Sequence, residues 1–111
     1  MHFSKVFTHV ERAEHDLLKS LGMVVFEVGV GGWPRVRVCC DYRSPLRLGD
    51  VFEVGLCLEK LGSRSVVWRF VISKDGEELC AEGEMVCVRV DGSGRAVALS
   101  DEERGKLEGL L

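Results

Sequence analysis

Several common sequence features are missing from this chain, and each absence excludes a class of function. Its 111 residues contain no apolar run near the roughly 20 residues that cross a bilayer. The first residues also lack the uninterrupted apolar core of a signal peptide. The net charge of -3 excludes a generally basic nucleic-acid-binding protein. We therefore expect a cytoplasmic protein that binds neither membranes nor nucleic acid.

Nucleotide-binding and metal-binding motifs are missing as well. No P-loop, dinucleotide-binding fingerprint or G-x-S-x-G motif occurs. The five cysteines include no C-x-x-C pair, and the histidines show no ligand spacing relative to them. Cys39 and Cys40 are neighbours on a predicted strand and should point to opposite faces. We expect the cysteines to pack as small hydrophobic residues, and we predict no metal site.

One long helix is predicted at the start of the chain, over residues 2–22. Apolar side chains recur there every three or four positions and form one stripe, which consists of Val6, Phe7, Val10, Ala13, Leu17, Leu18 and Leu21. Ser4 is the expected N-cap, and Gly22 is the expected C-terminal stop. Glu11 and Glu14 are predicted at the border of the stripe. The ordinary role of carboxylates there is solvation or pairing with nearby cations.

Strands are predicted for most of the remaining chain. A short one covers residues 24–28, and longer ones cover 35–42, 51–60, 65–73 and 79–90. In the first long strand, alternation predicts one face formed by Val36, Val38, Cys40 and Tyr42. Asp75 and Gly76 predict a hairpin. The apolar set of the last strand shifts along its length, which predicts either a bulge near Met85 or burial on both faces. Ser100 is predicted to cap a short final helix.

This order of elements predicts a single α+β domain over residues 1–111, with a curved antiparallel sheet wrapped around the first helix. The sheet has one apolar face, and only that helix is long and apolar enough to cover it. One sheet face and one edge would stay open. Strand 35–42 is suited to pairing with a copy of itself, so we expect a homodimer or a tetramer built from dimers.

Four segments together carry a family resemblance: HFSKVFTHVERAEHDLLKSLG, DYRSPLRLGD, LGSRSVVW and CAEGEMVCVRVDGSG. In this order and spacing they resemble the central helix, the strand-loop-strand signature, the next strand start and the last long strand of the hotdog-fold acyl-CoA thioesterases, of the 4-hydroxybenzoyl-CoA thioesterase type. The resemblance covers nearly the whole chain. It implies a hotdog fold and hydrolysis of an acyl-CoA thioester. It also implies no separate cofactor, because coenzyme A enters as part of the substrate.

The resemblance also implies where the catalytic groups lie. In the family, the thioester carbonyl sits at the N-terminus of the central helix, polarised by the helix dipole and a free backbone N–H. A carboxylate then attacks the carbonyl or activates a water. In one branch this carboxylate follows a histidine at the helix start by nine residues, which here is Glu11 after His2. Glu14 is the second candidate, and His2 would orient the substrate or a water. The free N–H would come from Phe3 or Ser4.

Another branch of the family takes its carboxylate from the loop before the helix, which follows an additional N-terminal strand. The sequence begins at Met1, directly before His2. We therefore expect that strand and its Asp to be missing, either because the gene start is placed too late or because the protein is a shortened member. This leaves Glu11 as the first candidate.

Coenzyme A phosphates would be met by arginine, whose planar fork donates hydrogen bonds in pairs. Arg64, beside Ser65, is the preferred candidate among four arginines, and solvation is the alternative for all of them. Phe7 is the apolar candidate for substrate contact, with core packing as its alternative. Two other functions stay open, a non-catalytic dimer that binds acyl-CoA and a degenerate dimer without a ligand.

Overall fold

The first element is the long helix that the apolar stripe predicts. The computed structural model describes residues 4–23, 26–27, 31–45, 51–75 and 78–111. Within these, α1 covers Ser4–Ser20. Gly22 has a φ of 71° and donates its N–H to the Lys19 carbonyl at 2.9 Å, which confirms the predicted stop. The side chain of the expected N-cap, Ser4, lies outside what the structure describes.

Within the described ranges six strands follow, and four of them form the main sheet. The two short strands β1 (Phe26–Glu27) and β2 (Gly31–Gly32) pair with each other. The long strands are β3 (Arg35–Tyr42), β4 (Phe52–Leu61), β5 (Ser65–Lys74) and β6 (Glu78–Val88). They form an antiparallel sheet in the order β3–β6–β5–β4, with α1 against its inner face. This is the predicted α+β architecture.

The core lies between α1 and the inner face of the sheet. Strand β5 contributes four buried side chains at alternate positions, as predicted: Val66, Trp68, Phe70 and Ile72. Phe7 of α1 is half-buried, and its ring meets the Phe70 ring edge-on at a centroid distance of 6.4 Å. Trp68 and Phe7 therefore both pack in or against the core.

The hairpin between β5 and β6 is confirmed, and of the two alternatives predicted for the last strand, residues 78–88 show burial on both faces and not a bulge near Met85. Lys74 pairs with Glu78, and Asp75 has a φ of 54°. The register shifts between Ile72 and Ser73, where β6 contributes the additional residue Cys80. Beyond that point Met85 and alternate residues face inward without interruption. The shift of the apolar set arises because β6 also carries half-buried valines on its outer face.

A second bulge, in β3, changes the predicted faces of that strand. Arg35 pairs with Cys87 and Arg37 pairs with Val86, which leaves Val36 as an additional residue. The predicted alternation holds from Arg37 onward but was wrong for Val36, which is 61% exposed. Because a bulge re-aims the side chains that flank it, Arg35 turns to the inner face, opposite the buried Cys87.

The cysteines divide by burial. Cys80 and Cys87 are buried and pack as small hydrophobic residues, whereas Cys39 and Cys57 are exposed. Cys39 pairs with Glu84 and Cys40 with Gly83 in the β3–β6 ladder. The two neighbours therefore point to opposite faces, as predicted.

The chain ends in the predicted short helix, α2 (Asp101–Glu108). The Ser100 hydroxyl accepts from the Glu103 N–H at 3.1 Å, and the Glu103 carboxylate accepts from the Ser100 N–H at 3.0 Å. This reciprocal capping box confirms the predicted start of α2. No helix in the described ranges is long and apolar enough to span a membrane.

Candidate functional site

Glu14 lies in the centre of the buried face of α1. It follows Val10 by one turn and precedes Leu18 by one turn, and it is only 1% exposed. The border position predicted for Glu14 was therefore wrong. A carboxylate this deeply buried requires partners, because an isolated buried charge is costly.

Those partners come from the sheet. Arg35 Nη2 donates to Glu14 Oε1 at 2.7 Å, and the Cys87 thiol donates to Glu14 Oε2 at 3.4 Å. Burial, together with the charge and hydrogen bond of Glu14, raises the pKa of Cys87 to about 12. The thiol therefore keeps its proton at neutral pH and remains a donor. Arg35 also directs its Nε toward Met85 Sδ at 3.3 Å, which fixes the plane of the guanidinium.

Glu11 lies at the mouth of the same arrangement. Its side chain is 49% exposed, and its Oε1 is 4.0 Å from Arg35 Nη1. His15 Nε2 lies 3.7 Å from Glu11 Oε1 and 3.8 Å from Glu14 Oε1. One guanidinium, one imidazole and two carboxylates thus converge on one point between α1 and β3.

A cleft of about 250 Å³ opens at this point. Its lining consists of Glu11, Glu14, His15, Trp33, Pro34, Arg35 and Val90. Trp33 is 6% exposed, and its Nε1 has no hydrogen-bond partner among the described residues. The Arg89 guanidinium lies 5.7 Å from the centroid of the Trp33 ring. The cleft therefore combines an apolar wall with a cation and an ionisable carboxylate.

Among the other predicted site residues, the described ones do not line this cleft. His2 and Phe3 lie outside the described residues. Ser4 begins the described part of α1, and Phe7 packs against Phe70. Arg64 and Ser65 lie at the turn between β4 and β5, where Arg64 is exposed.

Three cleft residues were missed by sequence reasoning: His15, Trp33 and Arg35. His15 follows Glu11 by four residues, so helical periodicity alone places it beside Glu11. Trp33 and Arg35 flank Pro34 before a strand, a pattern that carries no signal for a site. In the described ranges, no three His, Cys, Asp or Glu side chains are placed to hold a metal ion.

Comparison with known proteins identifies the family. The family model described as the thioesterase superfamily matches residues 1–81. The chain belongs to the thioesterase superfamily. One similar crystal structure is that of a hypothetical protein from Thermus thermophilus, which is 30% identical to this thioesterase-superfamily chain. The match covers 100% of this chain and 86% of the Thermus chain, with a TM-score of 0.90.

Two further structures are named as thioesterases. One is a thioesterase from Thermus thermophilus in complex with coenzyme A and Zn. It is 31% identical to this chain, and the match covers 70% of this chain and 58% of that thioesterase, with a TM-score of 0.66. A 1,4-dihydroxy-2-naphthoyl-CoA thioesterase from Synechocystis is 18% identical over 99% of this chain and 84% of its own, with a TM-score of 0.87. At that identity the likeness concerns the fold alone, which is the predicted hotdog fold.

Proposed function

We propose that this chain is an acyl-CoA thioesterase that hydrolyses a thioester to a free acid and coenzyme A, with Glu11 as the catalytic carboxylate. The observation that carries the proposal is the half-exposed Glu11 at the cleft mouth, 4.0 Å from Arg35, in a member of the thioesterase superfamily. A catalytic carboxylate must reach both solvent and substrate. Glu11 meets that requirement, whereas Glu14 is enclosed.

The proposed reaction is a hydrolysis that needs no cofactor. Glu11 takes a proton from a water as the water oxygen bonds to the thioester carbonyl carbon. The carbon–sulfur bond then breaks, and the coenzyme A sulfur receives the proton from Glu11. In the second route, a Glu11 oxygen bonds to the acyl carbon and expels coenzyme A as its thiolate. Water then cleaves the resulting anhydride to the free acid and the Glu11 carboxylate, and the proton that this releases goes to the thiolate.

We propose that the helix start that polarises the carbonyl comes from a second copy of the chain. Glu11 follows Ser4 by seven residues, which at a rise of 1.5 Å per residue is about 10 Å along the axis. Reacting groups must approach to about 3–3.5 Å. The backbone of Glu11 is therefore far from a carbonyl held at the start of α1 of the same chain, which favours a helix start supplied by a second copy.

A homodimer through β3 is the proposed solution. Strand β3 lies at the edge of the sheet, and Val36, Val38 and Tyr42 are exposed on it. An exposed apolar edge strand favours pairing with a second copy. His2, Phe3 and Ser4 would act at the helix start in this arrangement, and a tetramer of such dimers stays a prediction. Arg64, exposed at its turn, is proposed to meet the coenzyme A phosphates together with Ser65.

Release of free thiol from a panel of aliphatic and aromatic acyl-CoAs tests the proposal. Glu11→Gln should lower kcat about 100-fold or more, with the Tm little changed because the side chain is half-exposed. Glu53→Gln, an exposed glutamate on β4, is the matched control and should keep the wild-type rate. Equal rates for Glu11→Gln and wild type would remove Glu11 from the mechanism. Binding of coenzyme A without thiol release would select the non-catalytic alternative.

A further inference from the structure

We infer that Arg35 is the positioning residue of this site: anchored on Glu14, it holds Glu11 and one water molecule in the orientation that attack requires. The inference rests on the proposed function and adds to it a residue that is not part of the family resemblance. It also assigns different roles to the two glutamates.

The bulge at Val36 is what brings Arg35 to the site. Under unbroken alternation from Val38 and Cys40, position 35 would face away from α1. The additional residue in β3 places Arg35 opposite Cys87, on the inner face. A single irregularity in the sheet therefore converts a surface arginine into a cleft residue.

Two of the guanidinium nitrogens are engaged by the protein, and the third faces Glu11. Nη2 is bound to Glu14 at 2.7 Å, and Nε is directed at Met85 Sδ at 3.3 Å. Nη1 lies 4.0 Å from Glu11 Oε1, which is too far for a direct hydrogen bond. It is a suitable separation for one water that accepts from Nη1 and donates to Oε1. His15 Nε2, 3.7 Å from the same oxygen, forms another side of this water position.

Glu14 is the anchor for Arg35 and not the base. Its side chain is 2% exposed, and its two oxygens are taken by Arg35 and Cys87. A base must be reached by the water whose proton it takes, and the Glu14 side chain is almost completely shielded from solvent. Of the two carboxylates, only Glu11 has an oxygen directed at the cleft without a hydrogen bond shorter than 3.5 Å among the described residues.

The variant Arg35→Lys tests the inference, because lysine keeps the charge that Glu14 needs but loses the forked geometry. We expect kcat to fall about tenfold or more while KM changes less than about threefold. In a Glu11→Gln background, Arg35→Lys should cause no further loss, because both changes remove the same step. Arg95→Lys, at an exposed position between β6 and α2, is the matched control and should keep the wild-type kcat.

Chemical rescue separates positioning from folding. Added guanidinium ion should restore part of the kcat of Arg35→Ala, and sodium chloride at the same ionic strength should not. An unchanged kcat in Arg35→Lys would overturn the inference. So would a raised KM at unchanged kcat, which would make Arg35 a substrate-binding residue. If Glu14→Gln lowered kcat as completely as Glu11→Gln, and added guanidinium ion did not restore it, Glu14 would be the base instead.

A double-mutant cycle on the free energy of unfolding tests the anchor without any turnover. Arg35→Gln and Glu14→Gln should be strongly non-additive, because each removes one charge of the same ion pair. Additive effects on the free energy of unfolding would show that Glu14 does not anchor Arg35. A wild-type protein that releases no thiol but shows this coupling would overturn the proposed function alone, so the two failures are distinguishable.

Discussion

Arg35 Nη2 and Glu14 Oε1 lie 2.7 Å apart, and this ion pair joins the edge strand β3 to the buried face of α1. The two side chains are unequally shielded from solvent, at 23% exposure for Arg35 and 2% for Glu14. Solvent can therefore stabilise an unpaired Arg35 far better than an unpaired Glu14. The same pair fixes where Glu11 lies relative to β3, so it links stability to the geometry of the site.

This asymmetry predicts unequal costs for removing either partner. Arg35→Gln removes the cation that pairs with the buried Glu14 carboxylate, and we expect it to lower the free energy of unfolding by about 3–5 kcal/mol. Glu14→Gln retains an acceptor for Arg35, and we expect a loss of about 1–3 kcal/mol. Urea denaturation at neutral pH measures both. Equal losses, or a larger one for Glu14→Gln, would contradict the burial-based ranking.

The elements that the sequence predicts correctly are those whose side-chain period matches their burial. The three-and-four spacing of α1 and the strict alternation of Val66, Trp68 and Phe70 each follow from one local rule. The hairpin at Asp75 and the cap at Ser100 are likewise decided by residues close together in sequence. Local chemistry is sufficient in these cases because no distant partner is needed to choose the conformation.

The arrangement of the candidate site depends on distant partners and was not predictable in this way. The bulge at Val36 exists only in the pairing of β3 with β6, so alternation within β3 assigns Arg35 to the wrong face. Glu14 lies one turn from both Val10 and Leu18, so helical spacing alone places it on the buried face, but its partners Arg35 and Cys87 come from distant strands. Glu11 was found from a family resemblance. No local pattern separates it from an ordinary exposed glutamate.

Alkaline pH should destabilise the protein through Cys87. Its pKa is raised from 9.0 to about 12 in the folded chain, so both states hold the proton below pH 9. Between those values the unfolded chain loses the proton and the folded chain keeps it. Stability therefore falls as pH rises, by up to about 1.4 kcal/mol per pH unit. Urea midpoints under reducing conditions measure the slope.

The variant Cys87→Ala isolates that contribution. The pKa values of Cys40 and Tyr42 are also raised by burial and contribute in the same direction. The test therefore compares how steeply the free energy of unfolding falls with pH above pH 9 in the wild type and in Cys87→Ala. Parallel slopes for the two proteins would show that Cys87 does not titrate differently in the folded chain.

Gly83 should not tolerate even one added carbon, because a Cβ there would overlap the Cys39 carbonyl oxygen and crowd the Phe70 ring. Gly83→Ala should therefore push β3 away from β6, at a cost of about 1–3 kcal/mol. Because β3 carries Arg35, kcat should fall too. Gly105→Ala is the control. Among the described residues, no atom beyond its chain neighbours and the adjacent backbone of α2 lies within 4 Å of its added Cβ. It should stabilise the protein by about 0.5–1 kcal/mol.

Two inactive variants should restore each other's activity if the site is shared between two copies. Glu11→Gln removes the carboxylate, and Ser4→Pro removes a backbone N–H at the helix start, where proline is tolerated. In a mixed dimer, one of the two sites combines an intact Glu11 with an intact helix start. Random mixing puts half of the chains in such dimers, so activity should return to about a quarter of wild type.

The rate of thiol release after co-refolding the two variants together measures this recovery, with each variant refolded alone as the baseline. The control pair, Glu11→Gln with Glu11→Gln/Ser4→Pro, has no intact carboxylate in any site and should stay inactive. Because Glu11 and the start of α1 lie about 10 Å apart along one helix, recovery is expected only when the two groups come from different chains. A mixture as inactive as its components would place both groups in a single chain and reject the shared site.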